Sequence, residues 1–381
     1  MNPDELIEAA VKETGLDDFG TDSFREGLDV YCESVSKEAR LNAVGLMAVP
    51  ASVTASLANR LKVVDWSKRN PEVRARPIEQ PLIVIGMFRA GTTLLSNLLD
   101  CDPSNRALLR WEAGDSVPPP TPDSLRRGPR VDAARASGEM LEQLNPRMAV
   151  VHHEEADGPT ECIAVMTQDF KSLALEAMTN IPTYGRWLQE IDQRSAYEYH
   201  HLVLQVLQSG GASGRWTLKS PHHATALPAL TTVYPDARLV VLHRDPLILC
   251  ASVCSLIHTL SSTFSDADHR AYIARHWTDL LDLSIERTEA FRAAHPEHQI
   301  VDLQYEDLVR APAETVERIY GAFGDALGPA ARSAMDTYVA THPRGKFGRH
   351  RYDLAEFGLD KGEVAERFSS YATRYDVPIE T

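Results

Sequence analysis

The feature that most constrains this chain is the passage from Leu82-Ile83-Val84-Ile85 through Gly86-Met-Phe-Arg-Ala-Gly-Thr-Thr93 into Leu94-Leu-Ser-Asn-Leu-Leu99. A short β-branched run stopped by glycine reads as a buried strand, and the leucines that follow read as a helix beginning near Thr92. A strand that turns through glycines straight into a helix aims successive unpaired amides at one spot, and the helix dipole adds positive potential there. The segment therefore builds an anion site at the carboxyl end of a strand.

The texture recurs. Trp216–Leu218, Leu239–Leu242 and Ile300–Leu303 are further short apolar runs, most of them followed by a polar cluster and then a helical stretch. We expect an α/β fold, a P-loop-NTPase-like parallel sheet flanked by helices, with chemistry gathered at the strand carboxyl ends. Residues 1 to about 75 instead repeat charged and apolar residues at helix period. The expected division is an N-terminal helical extension, 1–78, contributing to the acceptor pocket, and a main domain, 79–381. Within the extension, Val44–Leu57 is apolar but interrupted by Pro50; it reads as a buried helix pair or as a wall for an apolar substrate. The proline-rich stretch Ser116–Pro122 suits neither helix interior nor central strand and is expected to be a surface loop.

The glycine turn has a particular chemistry. Gly86 and Gly91 stand at the glycine positions of GxxxxGK[ST] and Thr93 at its hydroxyl position, but Thr92 fills the lysine slot. The positive charge lies inside the loop instead, at Arg89. The run Leu239–His243 leads into Arg244 before Asp245, so a cation precedes the acid that would help hold magnesium in a triphosphate enzyme. Arg244 and Ser252 are eight residues apart, with Pro246 at a helix start. Such a pair can flank one phosphate. The arrangement is suited to an anion held by arginines and backbone without a metal.

Together these two motifs resemble the cofactor motifs of sulfotransferases that use 3′-phosphoadenosine 5′-phosphosulfate (PAPS), including the bacterial and tyrosylprotein types. Arg89-Ala-Gly-Thr-Thr93 is similar to the family's PRSGTT loop, with Phe88 replacing its proline and Ala90 its serine. The resemblance spans about residues 80–352 and implies that Arg89, Ala90, Gly91, Thr92 and Thr93 hold the 5′-phosphosulfate. Arg244 and Ser252 would hold the 3′-phosphate. Lys219, in Lys219-Ser-Pro-His-His223, inherits by position the lysine near the bridging oxygen. The basic stretch His342–Tyr352 resembles the family's C-terminal cofactor loop, which assigns Arg344, Gly345 and Lys346 to cofactor binding. Glu112 resembles the catalytic glutamate of the tyrosylprotein type. His222 and His223 are its rivals, and Glu154 and Glu155 form a further acidic cluster able to face an acceptor. The implied reaction is sulfuryl transfer from PAPS to a hydroxyl of a small-molecule, lipid or glycan acceptor, with Arg89, Lys219, Glu112 and His222 as catalytic candidates and adenosine 3′,5′-bisphosphate as product. An ATP-dependent small-molecule kinase, or a protein that binds adenosine bisphosphate without turnover, are the alternatives.

Composition removes other classes. A formal net charge of −15 disfavours nucleic acid as a partner. No run approaches the roughly 18 apolar residues of a membrane helix, and the acidic N-terminus lacks a secretion pattern, so a cytoplasmic location is expected. The five cysteines include Cys250 and Cys254 at helix spacing and are expected to be reduced core thiols. The histidine doublets point their side chains apart and supply at most one ligand each, so no metal site is expected. A hydrophobic alcohol is the acceptor suggested by residues 44–57.

Overall fold

The computed structural model describes residues 1–151, 153–343 and 352–379. Its centre is a parallel sheet of β1 (Leu82–Gly86), β2 (Asn105–Ala107), β3 (Arg215–Lys219), β4 (Arg238–His243) and β5 (Ile300–Gln304), ordered β2-β3-β1-β4-β5. Four of these are the runs that the sequence marks. The fifth, β2, is the three-residue Asn105-Arg-Ala107, whose polar composition carries no strand signal; it is defined by pairing with Arg215–Thr217.

The sheet is buried on both faces, as parallel sheets are. Leu82 and Val84 of β1 join Val240, Leu242 and Leu303 in one apolar layer, whereas Ile83 and Ile85 join Leu218, Leu239 and Val241 in the other. The alternation of side chains along each strand produces this division. Because β1 is flanked by β3 on one side and β4 on the other, the chain order reverses across it. That reversal opens the crevice at the strand ends in which such sheets bind ligands.

The N-terminal residues form α1 (Pro3–Thr14), α2 (Ser23–Glu38) and α3 (Ala43–Arg69). Leu6, Phe24, Leu28 and Leu57 from these helices belong to the same buried cluster as Leu82 and Val84. The helix pair anticipated around Pro50 is one helix: α3 runs unbroken through the proline. Proline removes one amide donor, but the buried stripe Val49, Val53, Leu57, Leu61 and Val64 continues across it on a single face, so packing outweighs the lost bond. All five cysteines are free; Cys250 and Cys254 are buried, and burial pushes the Cys250 thiol up to about 12. Among the described residues no helix is long and apolar enough to cross a membrane.

Candidate active site

The strand ends deliver the site. β1 passes through the glycine turn into α4 (Thr92–Asp100), with Gly91 at the helix N-cap in a left-handed conformation, φ 97°. A Cβ on Gly91 would lie 2.7 Å from the Tyr305 ring, so both the backbone conformation and the close approach of that ring require glycine. Arg89 is also left-handed, φ 69°, which is costly for a residue with a side chain. The conformation is held from two sides: Arg89 Nε donates to Ser252 Oγ at 3.0 Å, and Arg244 Nη1 donates to the Arg89 carbonyl at 2.7 Å. Arg244 lies 3.9 Å above the Tyr305 ring.

Two guanidinium groups thus converge beside the unpaired amides of α4. Burial, and then the nearby Arg244, lower the Arg89 pKa from the usual arginine value. The Arg244 Nε is buried with no hydrogen-bond partner among the described residues. Two cations held this close in a largely desolvated site are costly, and an anion set against them lowers that cost. The motifs of the first and second strands are therefore brought together, with Arg89, Arg244 and Ser252 in mutual contact through Arg89.

Lys219 closes β3 and is 1% exposed. Its ammonium lies 3.3 Å from Thr93 Oγ1, 3.4 Å from Glu161 Oε1 and 3.5 Å from Glu154 Oε1. Desolvation lowers its pKa, but attraction to Glu161 and then Glu154 outweighs this and leaves it raised, so the lysine stays charged. The acidic segment is strapped to the sheet end: the Cys162 amide donates to the Lys219 carbonyl at 2.9 Å, and the Thr160 amide to the Leu108 carbonyl at 2.8 Å. Thr160 Oγ1 in turn donates to Glu154 Oε2 at 3.0 Å.

The other candidates lie elsewhere. Glu112 is fully buried, pairs with the Arg106 guanidinium and accepts the Leu109 amide at 3.1 Å. It does not line the cavity that holds Arg89. His222 is fully buried between the Leu173 amide, which donates to Nδ1 at 3.4 Å, and Gln193, which contacts Nε2. Burial lowers its pKa to about 3, so it remains neutral. His223 bonds to Tyr197 through Nδ1 at 2.9 Å, and burial lowers its pKa well below the ordinary value. Glu155 is exposed, with His153 Nε2 at 3.2 Å from its Oε1. Arg344, Gly345 and Lys346 lie outside the described residues. Among the described residues no group of three or more histidine, cysteine or acidic side chains is placed to hold a metal ion.

Two residues that sequence reading did not single out enter the site. Glu161 lines the cavity beside Lys219, and Tyr305 forms the floor under Arg244. Tyr305 had a faint signal in following β5 directly. Glu161 had none, since it meets Lys219 across 58 residues with no spacing rule to link them.

The cavity has a volume of about 570 Å³ and two characters. Arg89, Thr92, Thr93, Glu161 and Arg244 form a polar end; Ile163, Met178, Leu256, Leu260 and Val339 form an apolar one. Every described lining residue of this cavity lies at Phe88 or beyond, whereas Ser52, Ala55, Ser56 and Asn59 of the N-terminal helices line a second pocket together with Glu154 and Thr160. α2 packs on the helix Pro182–Glu190, which packs in turn on the helix Leu173–Thr179 that carries Ala174, Ala177 and Met178 of the wall.

With this geometry in hand, the chain can be set beside known proteins. The profile of the sulfotransferase family matches residues 81–327. The chain resembles the crystal structure of sulfotransferase STF9 from Mycobacterium avium at 33% identity and a TM-score of 0.90, over 99% of this chain and 97% of that one. It resembles sulfotransferase STF1 from Mycobacterium tuberculosis H37Rv at 34% identity and a TM-score of 0.86, over 97% and 99%. The omega-hydroxy-beta-dihydromenaquinone-9 sulfotransferase Stf3 of Mycobacterium bovis is 22% identical over 317 residues, covering 76% of this chain and 75% of that protein.

Proposed function

The chain belongs to the sulfotransferase family, and from that premise we propose that it moves a sulfuryl group from PAPS to the hydroxyl of a hydrophobic alcohol. The observation that carries this reading is that Arg89, Arg244 and Glu161, with Lys219 against Glu161 and Thr93, share one cavity with a largely apolar lining. The donor fits the residues: unpaired amides, two buried guanidiniums and the orphaned Arg244 Nε call for a polyanion. Arg89 and the amides of Gly91 to Thr93 would hold its 5′ end, and Arg244 with Ser252 its 3′-phosphate. When bound, PAPS supplies a sulfuryl group activated as a mixed anhydride.

Glu161 is the base in this reading. Among the described residues it is the carboxylate that lines the cavity, 3.4 Å from the Lys219 ammonium, where it can take the acceptor's proton. Lys219 and Arg89 offset the negative charge that grows on the leaving phosphate. The apolar wall receives the body of the acceptor. The name of Stf3 specifies an omega-hydroxyl on a long apolar molecule, which supports this class of substrate here. Thr92 in the lysine slot argues against the kinase reading.

The test is transfer of label from [35S]PAPS to a panel of alcohols graded in chain length. Sulfate esters should form with long-chain alcohols and with magnesium chelated. Absence of transfer to every apolar alcohol, with transfer to sugars alone, would overturn the acceptor assignment; absence of any PAPS turnover would overturn the reaction.

A further inference from the structure

The exposed large apolar side chains of this protein are not scattered. Leu46 (65% exposed) and Met47 (73%) lie in the first turns of α3, and Met140 (60%) and Leu144 (52%) lie on the last turns of the helix Pro129–Leu144. These two helix ends meet at one residue, Thr263, which caps the helix Pro246–Ser262. Asn145 Nδ2 donates to the Thr263 hydroxyl at 2.8 Å, and Asn42 Nδ2 donates to the Thr263 carbonyl at 3.4 Å. Contact is close: a Cβ on Gly45 would lie 2.3 Å from the Phe264 carbonyl oxygen. The short helix Arg147–Val151, carrying exposed Val150, packs on the same helix Pro246–Ser262.

That helix also forms the apolar wall of the cavity. Leu256, Ile257 and Leu260 line it, and Leu260 is less than one turn from Thr263. Among the described residues the other exposed large apolar side chains, Val309 and Val339, line the cavity itself. The apolar surface therefore continues from the cavity wall, along one helix, to the outside. Exposed patches of this kind mark interaction sites.

We propose that this corner docks the protein on a lipid bilayer, so that a membrane-dissolved alcohol passes from the hydrocarbon boundary into the cavity. Leucine, methionine and valine side chains presented together at a protein corner partition into the interfacial region of a membrane. Exposed Arg40 and Arg147 stand at the same corner, near enough to His269 and His258 respectively to act on their protonation after burial has done so. Acids share the corner: Asn42 Nδ2 also donates to Asp266 Oδ1 at 3.1 Å and Asp268 pairs with Arg270, so the apolar side chains rather than charge carry the docking. A protein partner is the poorer occupant, because it would cover the route to the cavity. This inference rests on the proposed function only for its purpose, the delivery of a hydrophobic acceptor.

The experiment is flotation of the full chain with vesicles of phosphatidylcholine, alone or mixed with phosphatidylglycerol. The wild type should float with both. The triple variant Leu46→Ser, Met47→Ser, Met140→Ser should lose vesicle partitioning by about tenfold or more, while transfer to a short water-soluble alcohol stays unchanged. Failure of the wild type to float, or equal flotation of the variant, would overturn the proposal. So would a wild-type dimer in light scattering that the variant abolishes, since a second copy would then cover the patch. A chain that floats but transfers no sulfuryl group sinks the proposed function and leaves the docking surface standing.

Discussion

Two buried acid and base pairs sit near the same end of the sheet, and they differ in one respect. Arg106 and Glu112 are sealed: the guanidinium lies 4.8 Å from the centre of the Trp216 ring, and the carboxylate also takes the Leu109 amide. Lys219 and Glu161 are no less deep in the fold at the lysine, but the glutamate opens onto the cavity, and the lysine divides its attraction between Glu161 and Glu154. A sealed pair away from the cavity cannot reach a substrate, and it fixes the fold, even with Arg106 Nε left without a hydrogen-bond partner among the described residues. A pair that opens on a cavity, with one cation shared by two carboxylates, can accept a proton and give it up. Burial and charge are common to both pairs; access to the cavity is what separates them.

The sharpest way to break this comparison is Glu161→Gln. It should lower kcat by about 10²–10⁴-fold, with an unchanged thermal midpoint; a fall in stability without loss of turnover would place Glu161 with the sealed pair. Glu112→Gln should do the opposite. It leaves Arg106 buried without its counter-charge and should lower the unfolding free energy by about 3–5 kcal/mol, while the folded fraction keeps its turnover in equilibrium denaturation and activity measured together. Arg244→Ala tests the polar end alone. Binding of adenosine 3′,5′-bisphosphate should weaken by about 1.5–3 kcal/mol, and calorimetry should show its advantage over AMP gone; a retained advantage would move the 3′-phosphate away from Arg244.

The same distinction explains what could be read from the sequence. β1, β3, β4 and β5 were legible because each concentrates apolar residues before a polar break, and the glycine turn was legible because its conformation restricts residue choice at Gly91. β2 was not, since its three residues are held by register with β3 rather than by their own propensity. Arg89, Arg244 and Lys219 could be singled out because each ends or follows a strand, and the structure brings them near one another. Glu161 was invisible because it reaches Lys219 only through the strap at Thr160 and Cys162, a tertiary contact with no local signature. Glu112 attracted attention by its position after the first helix, and its hydrogen bonds to Arg106 and Leu109 could not be read from spacing. Pro50 misled through its backbone chemistry, which the long buried stripe of α3 overrides.

The smallest effect concerns the histidines, and it separates stability from chemistry through pH. His222 has an ordinary value of 6.5 that burial lowers to about 3, and burial does the same to His200. The unfolded chain takes up a proton at each as pH falls through 6.5, and the folded chain does not. Their contribution to stability is therefore complete above 6.5 and erodes on acidification, by about 1.4 kcal/mol per pH unit for each histidine until the folded value is reached. His222→Gln removes one of these protons and should flatten the slope of unfolding free energy against pH by that amount, measured by urea denaturation between about pH 7 and pH 5. The acidic limb of turnover should be untouched by the same substitution, because His222 does not line the cavity. An unchanged stability slope together with a shifted acidic limb would move His222 out of the sealed interior and into the reaction.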